Sequence, residues 1–143
     1  TMEIENVKAF QEKFESVVAR TITDDQLVPA IKIDLVIFLD DIHFKFYETL
    51  KQMGPFGPQN MQPVFVSENV HAENAKVLKE QHLKFTVKQE GTNGSIDAIG
   101  FGLGEYYDLV NSGMKFHMAY TIEENDFRGH KSLQLFIKDI KFE

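Results

Sequence analysis

The sequence predicts an α+β chain in which two helices and a short lead-in strand precede a five-stranded β-barrel. Three observations carry this. Before Met53 the apolar residues recur at three- and four-residue steps, as on one face of a helix. Gly54-Pro55-Phe56-Gly57-Pro58 then breaks the pattern. Beyond it, apolar and polar residues alternate in five separate runs, the mark of strands buried on one face.

Taken in order, Val7, Phe10, Phe14, Val17 and Val18 form an apolar stripe over residues 6–20, with Asn6 as N-cap. Residues 21–29 are polar and end on Pro29. Ile31, Ile33 and Leu35 alternate with Lys32 and Asp34, which predicts a short strand. Asp41 is placed to cap a second helix over 41–53, whose stripe is Phe44, Tyr47 and Leu50. The barrel strands are expected at 64–66, 82–88, 95–101, 115–122 and 133–140, with Gly91-Thr92-Asn93-Gly94 as a turn. A short amphipathic segment, 105–110, separates the third strand from the fourth. Five strands with a helical insert after the third is the arrangement of an oligonucleotide-binding (OB) barrel. Leu83, Phe85, Val87, Leu133, Leu135 and Ile137 are the expected core positions.

Composition narrows the function. The 143 residues include no cysteine, so neither disulfides nor thiolate chemistry contributes. The longest apolar run, 35–39, is too short to span a bilayer, and the amino terminus lacks signal-peptide character, which predicts a cytoplasmic protein. An opening on Thr1 suggests a piece of a longer chain. The net charge of −7 would repel phosphate, so nucleic-acid binding would need a local cationic patch.

No catalytic constellation emerges. His43, His71, His82, His117 and His130 never stand three or four residues apart, which argues against a metal site. Asp40-Asp41 and Glu123-Glu124 are adjacent pairs, expected to cap helices or sit in solvated turns. Gly100-Phe101-Gly102-Leu103-Gly104 resembles a phosphate loop until Glu105 fails the dinucleotide pattern, leaving a bent strand end. A binding face fits better. Alternation over 82–88 sets His82, Lys84, Thr86 and Lys88 opposite the core residues, on the strand where OB barrels take single strands. Lys76 and Lys79 approach the loop between the first two barrel strands, and Arg128, His130 and Lys131 lie between the last two. Phe127, in the same loop, could stack on a base.

Three motifs carry a family resemblance. Residues 53–60, Met-Gly-Pro-Phe-Gly-Pro-Gln-Asn, followed by Pro63-Val64-Phe65, resemble the junction that opens the C-terminal OB domain of RecJ-type single-strand-specific DNA exonucleases. His82-Leu83-Lys84-Phe85 is similar to a strand of that family. So is the run Ala119-Tyr120-Thr121-Ile122-Glu123-Glu124-Asn125, with Phe127, Gly129, Ser132-Leu133-Gln134-Leu135 and Ile137-Lys138-Asp139-Ile140 after it. The sequence departs at Gly54, where another side chain is expected, and at Phe136, where basic residues are common. The family's aspartate and histidine metal centre has no counterpart.

The resemblance implies that residues 1–28 are the last helix of a preceding catalytic-core domain and that 29–143 form the OB domain. It implies a parent enzyme that degrades single-stranded DNA from the 5′ end with magnesium or manganese, in recombination and repair. This chain would bind the strand without catalysing, through Lys76, Lys79, His82, Lys84, Lys88, Phe127, Arg128 and Lys131. Its expected partners are single-stranded DNA, the catalytic core of the same polypeptide and a single-strand-binding protein. A structural or protein-interaction module that braces the nuclease core is the alternative.

Overall fold

The computed structural model describes residues 3–23 and 30–142. It divides into two units, residues 1–31 and 32–143. In the first unit a 3-10 turn, Ile4–Asn6, leads into helix α1, Val7–Thr21. Asn6 occupies the N-cap but makes no side-chain cap bond. Val7, Phe10, Phe14 and Val17 form the expected stripe and are all exposed, with the rings of Phe10 and Phe14 stacked at 5.8 Å. Residues 24–29 of the predicted linker, and with them the expected domain boundary, lie outside the described residues.

The second unit begins with β1, Leu35–Val36, which pairs in parallel with Phe65 and Val66. The strand expected over 31–35 is therefore shorter and later. Its alternation is genuine, but only Leu35 and Val36 reach a partner. Asp34 prepares this contact: its amide donates to the Val64 carbonyl at 2.9 Å and its carboxylate accepts the Val64 amide at 3.0 Å. Helix α2 spans Phe44–Gln52. Its N-cap is His43, whose Nδ1 accepts from the Phe46 amide at 3.1 Å, and not Asp41 as expected. Asp41 instead closes a preceding 3-10 turn, Leu39–Asp41, by accepting from the Phe38 amide. After α2 the Asn60 side chain donates to the carbonyls of Met53 and Pro55, at 2.9 and 3.0 Å, and so pins the proline-glycine junction.

Five long strands then close the barrel. They are β2 (Phe65–Leu78), β3 (His82–Gln89), β4 (Ser95–Gly100), β5 (Phe116–Phe127) and β6 (His130–Phe142). Around the barrel the order is β2, β3, β4, β6, β5 and back to β2, with β4 and β6 parallel and the other pairs antiparallel. A 3-10 turn, Gly104–Tyr106, and helix α3, Tyr107–Asn111, fill the connection from β4 to β5. The glycine-rich stretch before α3 is the strand end the sequence suggests. A Cβ on Gly104 would lie 3.0 Å from the Gln81 carbonyl, so any other residue would push that backbone back by a few tenths of an ångström.

Strand β2 is far longer than the three residues expected. Its register shifts between Ser67 and Val70 and again between Glu73 and Lys76, and Asn69 and Asn74 adopt positive φ of 54° and 55°. Asparagine tolerates this left-handed conformation better than most residues, and each irregularity bends the strand. The first half of β2 thus pairs with β5 and the second half with β3, which lets the barrel close.

The core is built as the alternation requires. Leu83, Phe85, Val87, Leu135 and Ile137 are buried, joined by Phe116, Met118, Tyr120 and Ile122 from β5. Leu133 packs at the margin and is only half-buried. Ile37, Leu39 and Ile42 enter the same core from the lead-in segment. That segment is tied down by buried polar bonds: Ser67 Oγ donates to the Ile37 carbonyl at 2.8 Å and meets the Tyr120 hydroxyl at 2.7 Å.

Burial pushes the Tyr120 phenol well above its ordinary pKa, against the smaller lowering effect of the Ser67 bond. A raised folded-state value means that the neutral phenol contributes its full stability below the unfolded value of about 10 and loses it as pH rises beyond. Tyr120→Phe should cost about 1 kcal/mol at pH 7. The gap between parent and variant in urea midpoints should shrink at strongly alkaline pH. A gap that stays constant would mean that this phenol does not titrate on unfolding.

Candidate nucleic-acid interface

The outer face of the barrel follows from strand parity. In β3 the buried residues are Leu83, Phe85, Val87 and Gln89, so His82, Lys84, Thr86 and Lys88 face outward. Register then fixes their neighbours. Lys76 of β2 lies opposite Lys84, Lys84 opposite Ile99 of β4, and Ile99 opposite Phe136 of β6. A single row across four strands therefore reads lysine, lysine, isoleucine, phenylalanine. One row along, Thr86 faces Asp97 and Asp97 faces Gln134.

Several of the expected cations are held by carboxylates. Lys84 Nζ lies 3.1 Å from Asp97, whose other oxygen accepts from the Thr86 hydroxyl at 3.1 Å. Lys88 pairs with Glu73 at 3.0 Å, and Lys131 with Glu124 at 2.8 Å. The Glu124 hydrogen bond raises the Lys131 pKa, and the same bond lowers that of Glu124. Such surface pairs, all at least partly open to solvent, contribute little to stability, and a competing phosphate can displace the carboxylate. Among the described residues Lys76, Lys79 and Arg128 enter no ion pair.

The placement of the loop residues differs from the sequence reading. Lys76 belongs to β2 and only Lys79 sits in the turn to β3, where its φ is 49°. Residues 127–132 are not an open loop. Asp126 pairs with Lys131 and Phe127 with His130 in a tight hairpin, so His130 and Lys131 are strand residues of β6. Arg128 and Gly129 form the two-residue tip, at φ of 55° and 82°, which matches the primed turn that hairpin twist favours. The Arg128 guanidinium lies 5.2 Å from the Phe127 ring centroid, and that ring is exposed. The carboxylate pairs are likewise re-placed. Glu123 and Glu124 sit within β5, where Glu123 accepts from Gln62, and Asp40 accepts from the amides of Asn93 and Gly94 in the β3–β4 turn.

Two groups result. Lys76, His82 and Lys84 share the outer face, whereas Phe127, Arg128 and Lys131 belong to the hairpin. A groove of about 460 Å³ whose lining includes Asp97, Gln134, Ser132 and Lys131 runs between the hairpin base and the start of β4. Asp97 therefore touches both the groove and Lys84. Lys88 points toward Glu73 instead, and Lys79 stands at the far turn.

The sequence reading missed an aromatic feature. Phe101, just beyond β4, stacks against Phe136 with centroids 5.7 Å apart and planes 14° from parallel. His82 meets the Phe101 ring edge-on at 5.1 Å, and its Nδ1 accepts from the Gly102 amide. Alternation alone places Phe136 outward, since Leu135 and Ile137 are buried on either side of it. Its meeting with Phe101 depends on the parallel pairing of β4 with β6.

The sequence matches the family described as RecJ OB domain over residues 33–139. The chain belongs to this family. The single-stranded-DNA-specific exonuclease RecJ of Bacillus subtilis (strain 168) is 26% identical over 141 residues, which cover 97% of this chain and 18% of that protein. RecJ of Escherichia coli (strain K12) is 25% identical over 140 residues, covering 98% of this chain and 24% of the relative. The chain thus spans about a fifth to a quarter of such RecJ proteins. A crystal structure of RecJ from Thermus thermophilus in complex with Mn2+ superposes with a TM-score of 0.72 at 21% identity, over 99% of this chain and 20% of that one. The shared fold is the RecJ OB barrel. Among the described residues no three histidine, aspartate or glutamate side chains converge as a metal site. No described helix is long and apolar enough to cross a membrane.

Proposed function

We propose that this RecJ OB domain holds single-stranded DNA for a RecJ-like 5′-to-3′ exonuclease of recombination and repair, and that it does no catalysis itself. The observation that carries this reading is the outward row from Lys76 and Lys84 into the apolar surface of β4 and β6, edged by the groove that holds Lys131. Cations beside apolar and aromatic surface suit a single strand, whose phosphates and bases are both accessible. The catalytic step, with its magnesium or manganese, belongs to the rest of a cytoplasmic parent protein. Residues 1–28, which carry helix α1, would close that preceding core, and the exposed stripe of α1 would pack against it.

A second reading has its own observation. Lys84, Lys88 and Lys131 each already carry a carboxylate partner, and the chain is acidic. A module that braces the nuclease core, or docks a single-strand-binding protein, needs no free cations.

Titration of a fluorescent single-stranded oligonucleotide separates the two. About four phosphates can be neutralised, so binding should be weak, prefer single over double strands, and fall with salt at a logarithmic slope of about −3. Combining Lys84→Glu with Arg128→Glu should weaken it on the order of tenfold, whatever the base sequence, with circular dichroism unchanged. A parent that binds nothing at low salt, or a double variant that binds like the parent, would replace this reading with the bracing module.

A further inference from the structure

Lys84 on the proposed face and Lys131 in the hairpin each already hold a carboxylate, so charge alone gives a strand few free cations there. We infer that Phe101 and Phe136 form a stacking platform for the bases of single-stranded DNA, and that this platform supplies an affinity component that salt does not screen. This rests on the single-stranded-DNA reading above and assigns that site its second recognition element.

Phe101 is 58% exposed although it belongs to a packed barrel, and it turns aromatic surface to solvent beside the near-parallel ring of Phe136. Its position is not left to chance. His82 braces its edge, and the Gly102 amide fixes His82 in turn, so the ring is preorganised without being buried. Ile99, directly opposite Phe136, extends the apolar floor toward Lys84 and Lys76. Lys76 has no ion pair among the described residues and Lys84 has only Asp97, so the lysine end of the row has more cations than carboxylates. Bases on the rings and phosphates on the lysines match that division. Every base has a π-face, so the platform should tolerate any sequence.

The test compares a labelled oligothymidylate with an abasic strand of equal length, which keeps the phosphates and lacks the bases. The 143-residue chain should bind the oligothymidylate more tightly than the abasic strand. Phe101→Ala combined with Phe136→Ala should lower oligothymidylate affinity by about 10- to 100-fold. It should leave abasic binding and the salt slope where they were. Tyrosine at both positions should restore most of the loss. The chain contains no tryptophan, so Phe101→Trp adds a single indole whose fluorescence oligothymidylate should quench and the abasic strand should not. If the alanine pair binds oligothymidylate like the parent while Lys84→Glu with Arg128→Glu weakens it, the platform is wrong and the DNA reading stands. A parent that does not distinguish the two strands would overturn the platform in the same way. If the parent binds neither strand at low salt, the DNA reading fails and the platform with it.

Discussion

Truncation of Phe85 to alanine should lower the stability of the barrel by about 3–5 kcal/mol, the cost of removing a buried phenyl group and leaving a cavity. Phe85 is 1% exposed, stands in the middle of β3 between β2 and β4, and meets Phe116 of β5 edge-to-face at 5.8 Å and 89°. Its side chain therefore joins strands that are not neighbours in the sheet. Nothing small can fill the space, because Leu83, Val87 and Ala98 are themselves fully buried around it. The thermal midpoint should fall by roughly 10–20 °C. Lys84→Ala, one residue away and outward, loses only a partly exposed ion pair and should change stability by less than about 1 kcal/mol. Similar midpoints for the two variants would refute the inward and outward assignment of β3.

Gln89→Met should cost about 2–4 kcal/mol despite its nearly unchanged shape. The Gln89 Oε1 accepts from the buried Leu39 amide at 2.9 Å, and its Nε2 donates to the Glu68 carbonyl at 2.8 Å. One side chain thus satisfies the lead-in segment and the bent part of β2 together. A thioether can do neither, and the Leu39 amide would lie buried without an acceptor. Urea denaturation measures the loss, and hydrogen exchange should show the Leu39 amide losing its protection. A cost under about 0.5 kcal/mol would mean that water replaces the glutamine, and that the lead-in is held by Ile37, Leu39 and Ile42 alone.

How far such features could be read in advance depends on the distance over which each is encoded. Strand β3 was legible because its alternation is unbroken from His82 to Lys88, and its inward residues form the core as expected. Strand β2 was not, because the bulges near Asn69 and Asn74 shift the parity and make a continuous strand look like a polar loop. The tip of β5 and β6 was obscured for a different reason. Apart from Phe127 and Gly129, its residues from Glu123 to Lys131 are polar because the hairpin projects into solvent, and polarity is also what loops show. Asp41 and His43 illustrate the limit at a helix end, where either side chain has the chemistry to cap and only the backbone path selects one.

Residue order alone was enough for the α+β class, the change of period at the Gly54 to Pro58 junction, the core faces of β3 and β6, and, through its motifs, the RecJ resemblance that the family match bears out. These rest on periodicity and local spacing, which act within a few residues. Which outward residues meet was left to the folded barrel. Lys84 finds Asp97 because β3 and β4 pair in one register, and Phe101 finds Phe136 because β4 lies parallel to a strand that begins thirty residues after it ends. A register error of one residue would turn each of these side chains to the opposite face. That choice is made by the packing of the whole barrel, since no short segment contains both partners.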